Sequence, residues 1–115
     1  MNAQHPELAQ GRWQTLPLIE QLANVGSEVE RAISWAAKDN DAYSGRALYR
    51  ALELLELTIA DPRHRHRLKE LTRVREALLD YFLGDNEFRS TPVSWHRYFH
   101  PYGTAVAIRR HPPGG

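Results

Sequence analysis

Two histidines four residues apart form the arrangement in this sequence that is closest to a pair of metal ligands. His96 and His100 would lie on one face of a helix, where both rings can reach the same ion. Two ligands do not complete a site, and no third ligand at a suitable spacing accompanies them. His64 and His66 lie among arginines, where a dication is unfavourable. The sequence therefore predicts no metal site, and it indicates no other cofactor.

A dense basic segment over residues 63–67 alternates arginine with histidine. Arg63, Arg65 and Arg67 are candidate nucleic-acid-binding residues, because guanidinium groups bind phosphate oxygens well. Two observations favour a solvated connector instead. Positive charge at the start of the following helix opposes the helix dipole. The tryptophans and tyrosines that would stack on single-stranded bases lie elsewhere in the chain.

A charged residue, Arg75, falls inside the apolar arc of a predicted helix. It lies between Leu79 and Phe82 when residues are placed at intervals of about 100°. Two interpretations remain open: the guanidinium is buried and paired with a carboxylate, or the side chain follows the core margin with its head in water. The acidic residues on other helices that are best placed to pair with a buried guanidinium are Glu28, Glu53 and Glu56.

The elements that must position these residues are helices, because apolar residues recur at spacings of three and four along much of the chain. The first helix is predicted from an N-cap at Thr15 to about Lys38. Gly26 lies inside it, and we expect this glycine to allow another helix to approach closely. The second helix is predicted from residues 41–44 to about Ala60, where an Asp-Pro pair ends it.

The third predicted helix starts after the basic segment and continues through Phe82, with Gly84 as a left-handed C-cap. A short helix is then expected from Pro92 to His100, because Pro101 follows. Residues 102–110 suit a further helical stretch, since a strand there would have no partner. The predicted fold class is all-α: an antiparallel bundle of three long helices plus a short C-terminal helix.

The composition of the 115-residue chain is that of one globular domain, with 42% hydrophobic and 25% charged residues. We expect an N-terminal extension over residues 1–14, a single helical-bundle domain over 15–110 and a flexible tail over 111–115. A net charge of +1 creates no broad field for polyanions, and the absence of cysteine excludes disulfides and thiol nucleophiles. Without a membrane-spanning apolar run or a leader-like segment, we expect a cytoplasmic protein that does not contact a membrane.

The second helix carries more apolar residues than one buried face needs. Leu54 and Leu57 extend its apolar surface beyond the inner stripe. Such an excess is typical of a helix wedged between two others or of a contact with a second subunit. We therefore treat Leu54 and Leu57 as candidate interface residues of a homo-oligomer.

Size and helix order over residues 15–84 resemble those of the small HEPN-like proteins, short bacterial helical bundles that often dimerise and accompany nucleotidyltransferases. Some members cleave RNA with an arginine and a histidine a few residues apart, supplied twice across a dimer interface. In this sequence Arg89 and His96 have six residues between them, and Tyr98 stands where that family often has an aromatic residue. The resemblance implies that Arg89 and His96 would be the catalytic pair.

The favoured function is that of a non-enzymatic interaction protein whose partner is a second copy or another protein. The alternative, which the resemblance implies, is an RNA-binding or RNA-cleaving protein, or the partner subunit of a nucleotidyltransferase. A third interpretation is a small-ligand pocket, although aromatic residues near helix ends more often close a core. That pocket would be lined by Trp35, Tyr43, Trp95 and Tyr98.

Overall fold

The computed structural model describes residues 11–111, which form four α-helices and two short 3₁₀ helices. The α-helices are α1 (Leu18–Ala37), α2 (Asp41–Ile59), α3 (Leu68–Leu83) and α4 (Pro92–Arg110), and the 3₁₀ helices span Trp13–Thr15 and Pro62–Arg67. No strand occurs in this part of the chain, so the predicted all-α class is confirmed. None of these helices combines the length and the apolar character needed to cross a membrane.

α1 and α2 form a helical hairpin joined by a tight turn over residues 38–40. The side chain of Asn40 accepts a hydrogen bond from the backbone N–H of Tyr43 at 3.0 Å, which caps the first turn of α2. The hydroxyl of Ser44 donates to the backbone carbonyl of Ala32 at 2.8 Å. This bond ties the two helices together where small side chains let them approach closely.

The hydrophobic core lies between the four α-helices: α1 packs against α2 and α4, while α3 packs against α2 and contacts α4 through the rings of Tyr81 and Trp95. A tryptophan that precedes α1, Trp13, is only 1% exposed and belongs to this core. The core thus includes residue 13, two positions before the predicted start of the domain. Residues 1–10 and 112–115 of the predicted extension and tail lie outside the described residues. The buried core residues are Trp13, Leu22, Val25, Val29, Ala51, Leu54, Leu55, Leu71, Val74, Leu78, Trp95 and Phe99.

Two predicted helix caps are wrong. The hydroxyl of Thr15 does not cap α1 but donates to the carbonyl of Arg12 at 2.6 Å within the first 3₁₀ helix. Gly84 ends α3 with φ −110° and ψ −156°, an extended conformation rather than a left-handed one. The positive φ values fall instead on Asn86 and Arg89, both at 55°, in the connection to α4. This connection folds back along α3 because hydrogen bonds to Asp80 hold it there.

The last helix is long, which corrects the predicted short C-terminal helix. α4 has 19 residues and runs through Pro101 without ending. It starts at a capping box, in which Thr91 and Ser94 each accept a hydrogen bond from the backbone N–H of the other. A proline removes one helical hydrogen bond. Here buried residues on both sides of Pro101, Phe99 and Val106, pack against the domain and hold the helix together.

Gly26 lies at a close contact between α1 and α4. A Cβ atom placed on it would lie 2.7 Å from Cβ of Phe99 and 2.9 Å from Cγ of the same ring. Carbon atoms in contact are normally about 3.5–4.0 Å apart, so a larger residue would not fit. The expectation that Gly26 allows close helix approach is confirmed.

Candidate functional site

α1 and α4 form an exposed seam on one side of the domain. The two helices are antiparallel, because Glu30 near the end of α1 pairs with His96 near the start of α4, at 3.2 Å between Oε1 and Nδ1. Further along the seam, Gly26 contacts Phe99. Residue numbers thus fall along α1 as they rise along α4.

A groove of about 340 Å³ follows this seam beside His96 and His100. It continues into a second space of about 370 Å³ that reaches Glu20 and Arg110. The two spaces share four lining residues, so they form one continuous surface that we call the α1–α4 groove. Small side chains cover most of its floor, and these belong to Ala23, Gly26, Ser27, Gly103, Thr104 and Ala107.

The charges of the groove are divided between its two helices. α1 contributes Glu20 at one end and Glu30 at the other, whereas α4 contains no acidic residue and places Arg110 at the end beside Glu20. The rings of His96 and His100 stack with their centroids 4.9 Å apart at the end beside Glu30. Among residues 11–111, no three side chains of the metal-ligating types come together in a way that could hold an ion. The groove therefore has an acidic wall and a basic or histidine-bearing wall.

The basic segment does not present three free guanidinium groups. Arg63 donates to the carboxylate of Asp61, with Nη2 and Oδ2 2.6 Å apart, and Arg67 donates to both carboxylate oxygens of Glu70 at 2.9 Å. Arg65, by contrast, is exposed to solvent. Flanking carboxylates therefore pair with two of the three cations that the sequence proposes for nucleic-acid binding.

A buried polar cluster beneath this segment was missed by the sequence analysis. Gln21 is fully buried and donates through Nε2 to the backbone carbonyl of Trp13 at 2.9 Å and to Asp61 at 3.3 Å. Its Oε1 atom is the acceptor, so His64 presents a hydrogen on Nε2, 3.0 Å away. The indole N–H of Trp13 donates to Thr58 at 3.0 Å. The cluster links the segment around Trp13 to the end of α2. The signal for it in the sequence was the short Asp-Pro-Arg-His stretch that follows α2.

Electrostatics in this cluster favour a charged Asp61 beside a neutral His64. The hydrogen bonds from Arg63 hold the pKa of Asp61 far below its usual value. Burial lowers the pKa of His64, because the charged imidazolium loses its hydration. Since the buried members of this cluster, Asp61 and His64, pair with neighbouring protein groups, their arrangement serves stability.

A second polar cluster ties α3 to α4. The hydroxyl of Tyr98 donates to the carboxylate of Glu70 at 2.6 Å, and Arg67 donates to Tyr102 at 3.1 Å. Burial raises the pKa of Tyr98, and the bond to Glu70 raises it further. Arg67 lowers the pKa of Glu70 through its paired hydrogen bonds. The tyrosine is therefore a structural donor, not an acid near neutral pH.

Arg75 is not a buried charge, which corrects one of the two interpretations from the sequence. Its side chain is 39% exposed and pairs with Glu56, which is 58% exposed, at 3.0 Å between Nε and Oε1. Glu56 is one of the three partners proposed from the sequence. The guanidinium follows the core margin and ends at the surface, where such a pair contributes little.

Arg89 and His96 do not meet within one chain. Arg89 lies in the connection before α4, is exposed, and donates only its backbone N–H, to the carbonyl of Asn86. His96 lies on α4 and pairs with Glu30 of α1. No hydrogen bond or ion pair joins the two residues in the described part of the chain. The catalytic pair that the resemblance implies is not formed by the single chain.

The extra apolar surface of α2 is used inside the domain. Leu54 is 3% exposed in the core, and Leu57 is partly buried against the same core. α2 lies between α1 and α3, which explains why its apolar surface is wider than one stripe. Leu54 offers no surface to a second copy, so the predicted interface is corrected at this position.

The four aromatic residues proposed for a ligand pocket separate into two places. Trp35 meets the edge of Tyr43 at the hairpin between α1 and α2, with the ring centroids 4.8 Å apart. Trp95 contacts Phe99 and Tyr81 beneath α4. None of the four proposed aromatic residues lines the α1–α4 groove.

Comparison with known proteins neither supports nor contradicts the resemblance to HEPN-like proteins. No protein-family model, curated protein or solved structure matches this chain. The similarity to HEPN-like proteins therefore stays a prediction that depends on helix order and on the residues quoted for it.

Proposed function

We propose that this chain is a non-enzymatic interaction module that works by associating with a second copy of itself. The observation that carries this proposal is the outer face formed by α1 and α4, with the α1–α4 groove along its middle. Small side chains on the floor of a groove let a neighbouring helix approach closely, which favours helix-on-helix packing.

α4 also carries two exposed aliphatic side chains. Val93 and Ile108 are 64% and 51% exposed. Burying each of them fully would contribute roughly 1–2 kcal/mol to association. α4 therefore offers a second copy apolar side chains in addition to the groove that it forms with α1.

The face is large enough for a specific contact. α1 and α4 have 20 and 19 residues, which makes each of them about 30 Å long. Two such helices side by side cover about 600 Å² per copy and about 1,200 Å² for two copies. This is the lower end of the area that stable complexes bury, so we expect a dimer in the micromolar range or weaker.

Sedimentation equilibrium over a protein range of roughly 1 μM to 1 mM tests the proposal. We expect the mass to rise with concentration from the 13.3 kDa of one chain towards twice that value. A mass that stays at the monomer value up to the highest concentration would refute it. A mass that passes twice the monomer value would also refute it, because a closed two-fold contact stops at a dimer.

The alternative proposal is an RNA-directed activity, and one contact favours it. His96 is exposed, Glu30 orients its ring, and His100 stacks beside it, an arrangement that suits proton transfer. If this alternative holds, a His96→Ala variant should lose RNA cleavage while it keeps its helical spectrum. Cleavage that persists unchanged in this variant would reject the alternative.

A further inference from the structure

We infer that two copies associate about a two-fold axis parallel to α1 and α4, which places α1 of each copy on α4 of the other. This inference rests on the proposed self-association and specifies its geometry. It follows from the distribution of charge along the α1–α4 groove, described by residues Glu20, Glu30, His96, His100 and Arg110.

These residues follow a fixed order along the seam. Because α1 and α4 are antiparallel, Glu30 is level with His96, and both lie at the end of the groove that also contains His100. Glu20 lies at the other end, where the same space is bordered by Arg110. Each end of the groove therefore has one acidic position on α1 and one basic or histidine position on α4, and the exposed Arg31 beside Glu30 is paired with Glu28 of its own helix at 2.9 Å.

Such a face allows two symmetric contacts between copies. In a face-to-face dimer the two-fold axis lies in the plane of the contact. An axis parallel to the helices exchanges α1 with α4 and keeps every residue at its own level. An axis across the helices places α1 on α1 of the second copy and exchanges the two ends.

The two arrangements bring different charges together. With the parallel axis, Glu20 faces Arg110 of the second copy, and Glu30 faces His96 and His100 of the second copy. With the crossed axis, Glu20 faces Glu30 of the second copy, and the like charges repel. Charge complementarity therefore selects the parallel axis.

The composition of α4 supports the same choice. α4 has no aspartate or glutamate in its 19 residues, and two arginines occupy its last turn. It is thus the basic helix of the face, while Glu20 and Glu30 provide the acidic positions of α1. Between the charged ends the groove is floored by small side chains such as Ala23 and Gly103, which leaves room for the two helix pairs to meet near the axis.

Charge reversal at one pair tests the inference. Glu20→Arg and Arg110→Glu should each raise the dimer dissociation constant about tenfold, because the contact occurs twice in a symmetric dimer. An equimolar mixture of the two variants should restore dimerisation to within about threefold of the unchanged chain, since each mixed dimer contains two opposite-charge pairs. Sedimentation equilibrium at low ionic strength measures all three constants.

Matched controls come from α3, which lies away from the groove. Glu76 and Lys69 are exposed on α3, so Glu76→Arg and Lys69→Glu should leave the dissociation constant unchanged. Far-UV circular dichroism checks that every variant remains helical.

The outcomes separate the inference from the proposed function. A Glu20→Arg variant that dimerises more tightly would overturn the parallel axis, because only the crossed axis brings Glu20 next to Glu30. If all variants had the same dissociation constant as the unchanged chain, the parallel axis would be overturned too. The proposed self-association would still stand, because a dimer would have been observed. A chain that stays monomeric without substitutions would refute the proposed function and, with it, this geometry.

Discussion

Replacing Gly26 with alanine should destabilise the protein, although alanine is the better helix former. The new Cβ atom would lie 2.7 Å from Cβ of Phe99 on α4. The Cβ atom of Phe99 is fixed by its own backbone and cannot rotate away, so relief requires the two helices to move apart by about 1 Å. That movement would loosen the packing of the whole α1–α4 contact.

The size of the effect follows from two opposing terms. Overpacking a tight contact typically costs about 1–3 kcal/mol, and the upper end applies because the clash involves an atom next to the backbone. Alanine regains about 1 kcal/mol through its higher helix propensity. We expect the free energy of unfolding to fall by about 2 kcal/mol.

Gly45 provides a matched control within α2. A Cβ atom added there meets no atom within 4 Å, and the position is exposed. Gly45→Ala should therefore stabilise the protein by about 0.5–1 kcal/mol through helix propensity alone. Urea unfolding followed by circular dichroism, at a protein concentration too low for dimers, compares the two variants directly.

The sign of the difference decides the outcome. If Gly26→Ala raised the free energy of unfolding as Gly45→Ala does, α1 and α4 would not be in close contact at this position. The α1–α4 groove would then have a different shape, and its acidic and basic walls would not face each other as described.

Two further predictions concern the buried polar cluster. Stability should fall as the pH is lowered through 6.5, because burial lowers the pKa of His64 and only the unfolded chain takes up the proton. It should fall again below the usual value of 3.8 for Asp61, whose pKa is lowered chiefly by Arg63. Urea unfolding at several pH values checks this, and equal stability at pH 7.5 and pH 5 would contradict the first part. Trp13→Ala should cost about 3–5 kcal/mol in the same assay, whereas a loss below about 1 kcal/mol would mean that Trp13 is not a core residue.

Local sequence patterns were sufficient to place the first two helices. α1 and α2 end close to their predicted bounds, because apolar spacing and the polar turn at residues 38–40 are local signals. The pattern failed at α4, where Pro101 suggested an end that tertiary packing overrides. Local propensity is a small term, and contacts of Phe99 and Val106 with the domain outweigh it.

The candidate site was less predictable than the fold because it depends on which residues meet across helices. His96 and His100 were recognised as a pair from their spacing, but nothing local indicated that Glu30 stands opposite them. Likewise, the pairing of Arg63 with Asp61 depends on how the chain bends after α2. The partners of a charged side chain are set by geometry in three dimensions, which residue types alone do not encode.

The sequence by itself determined an all-α bundle, the position of its hairpin turn and the role of Gly26, because helix periodicity and glycine's lack of a side chain act locally. Tertiary structure alone decided that Trp13 joins the core, that Leu54 faces inward and that α1 and α4 leave a groove between an acidic and a basic wall. These features arise from packing between segments far apart in the chain, where burial and close fit outweigh any preference of the separate segments.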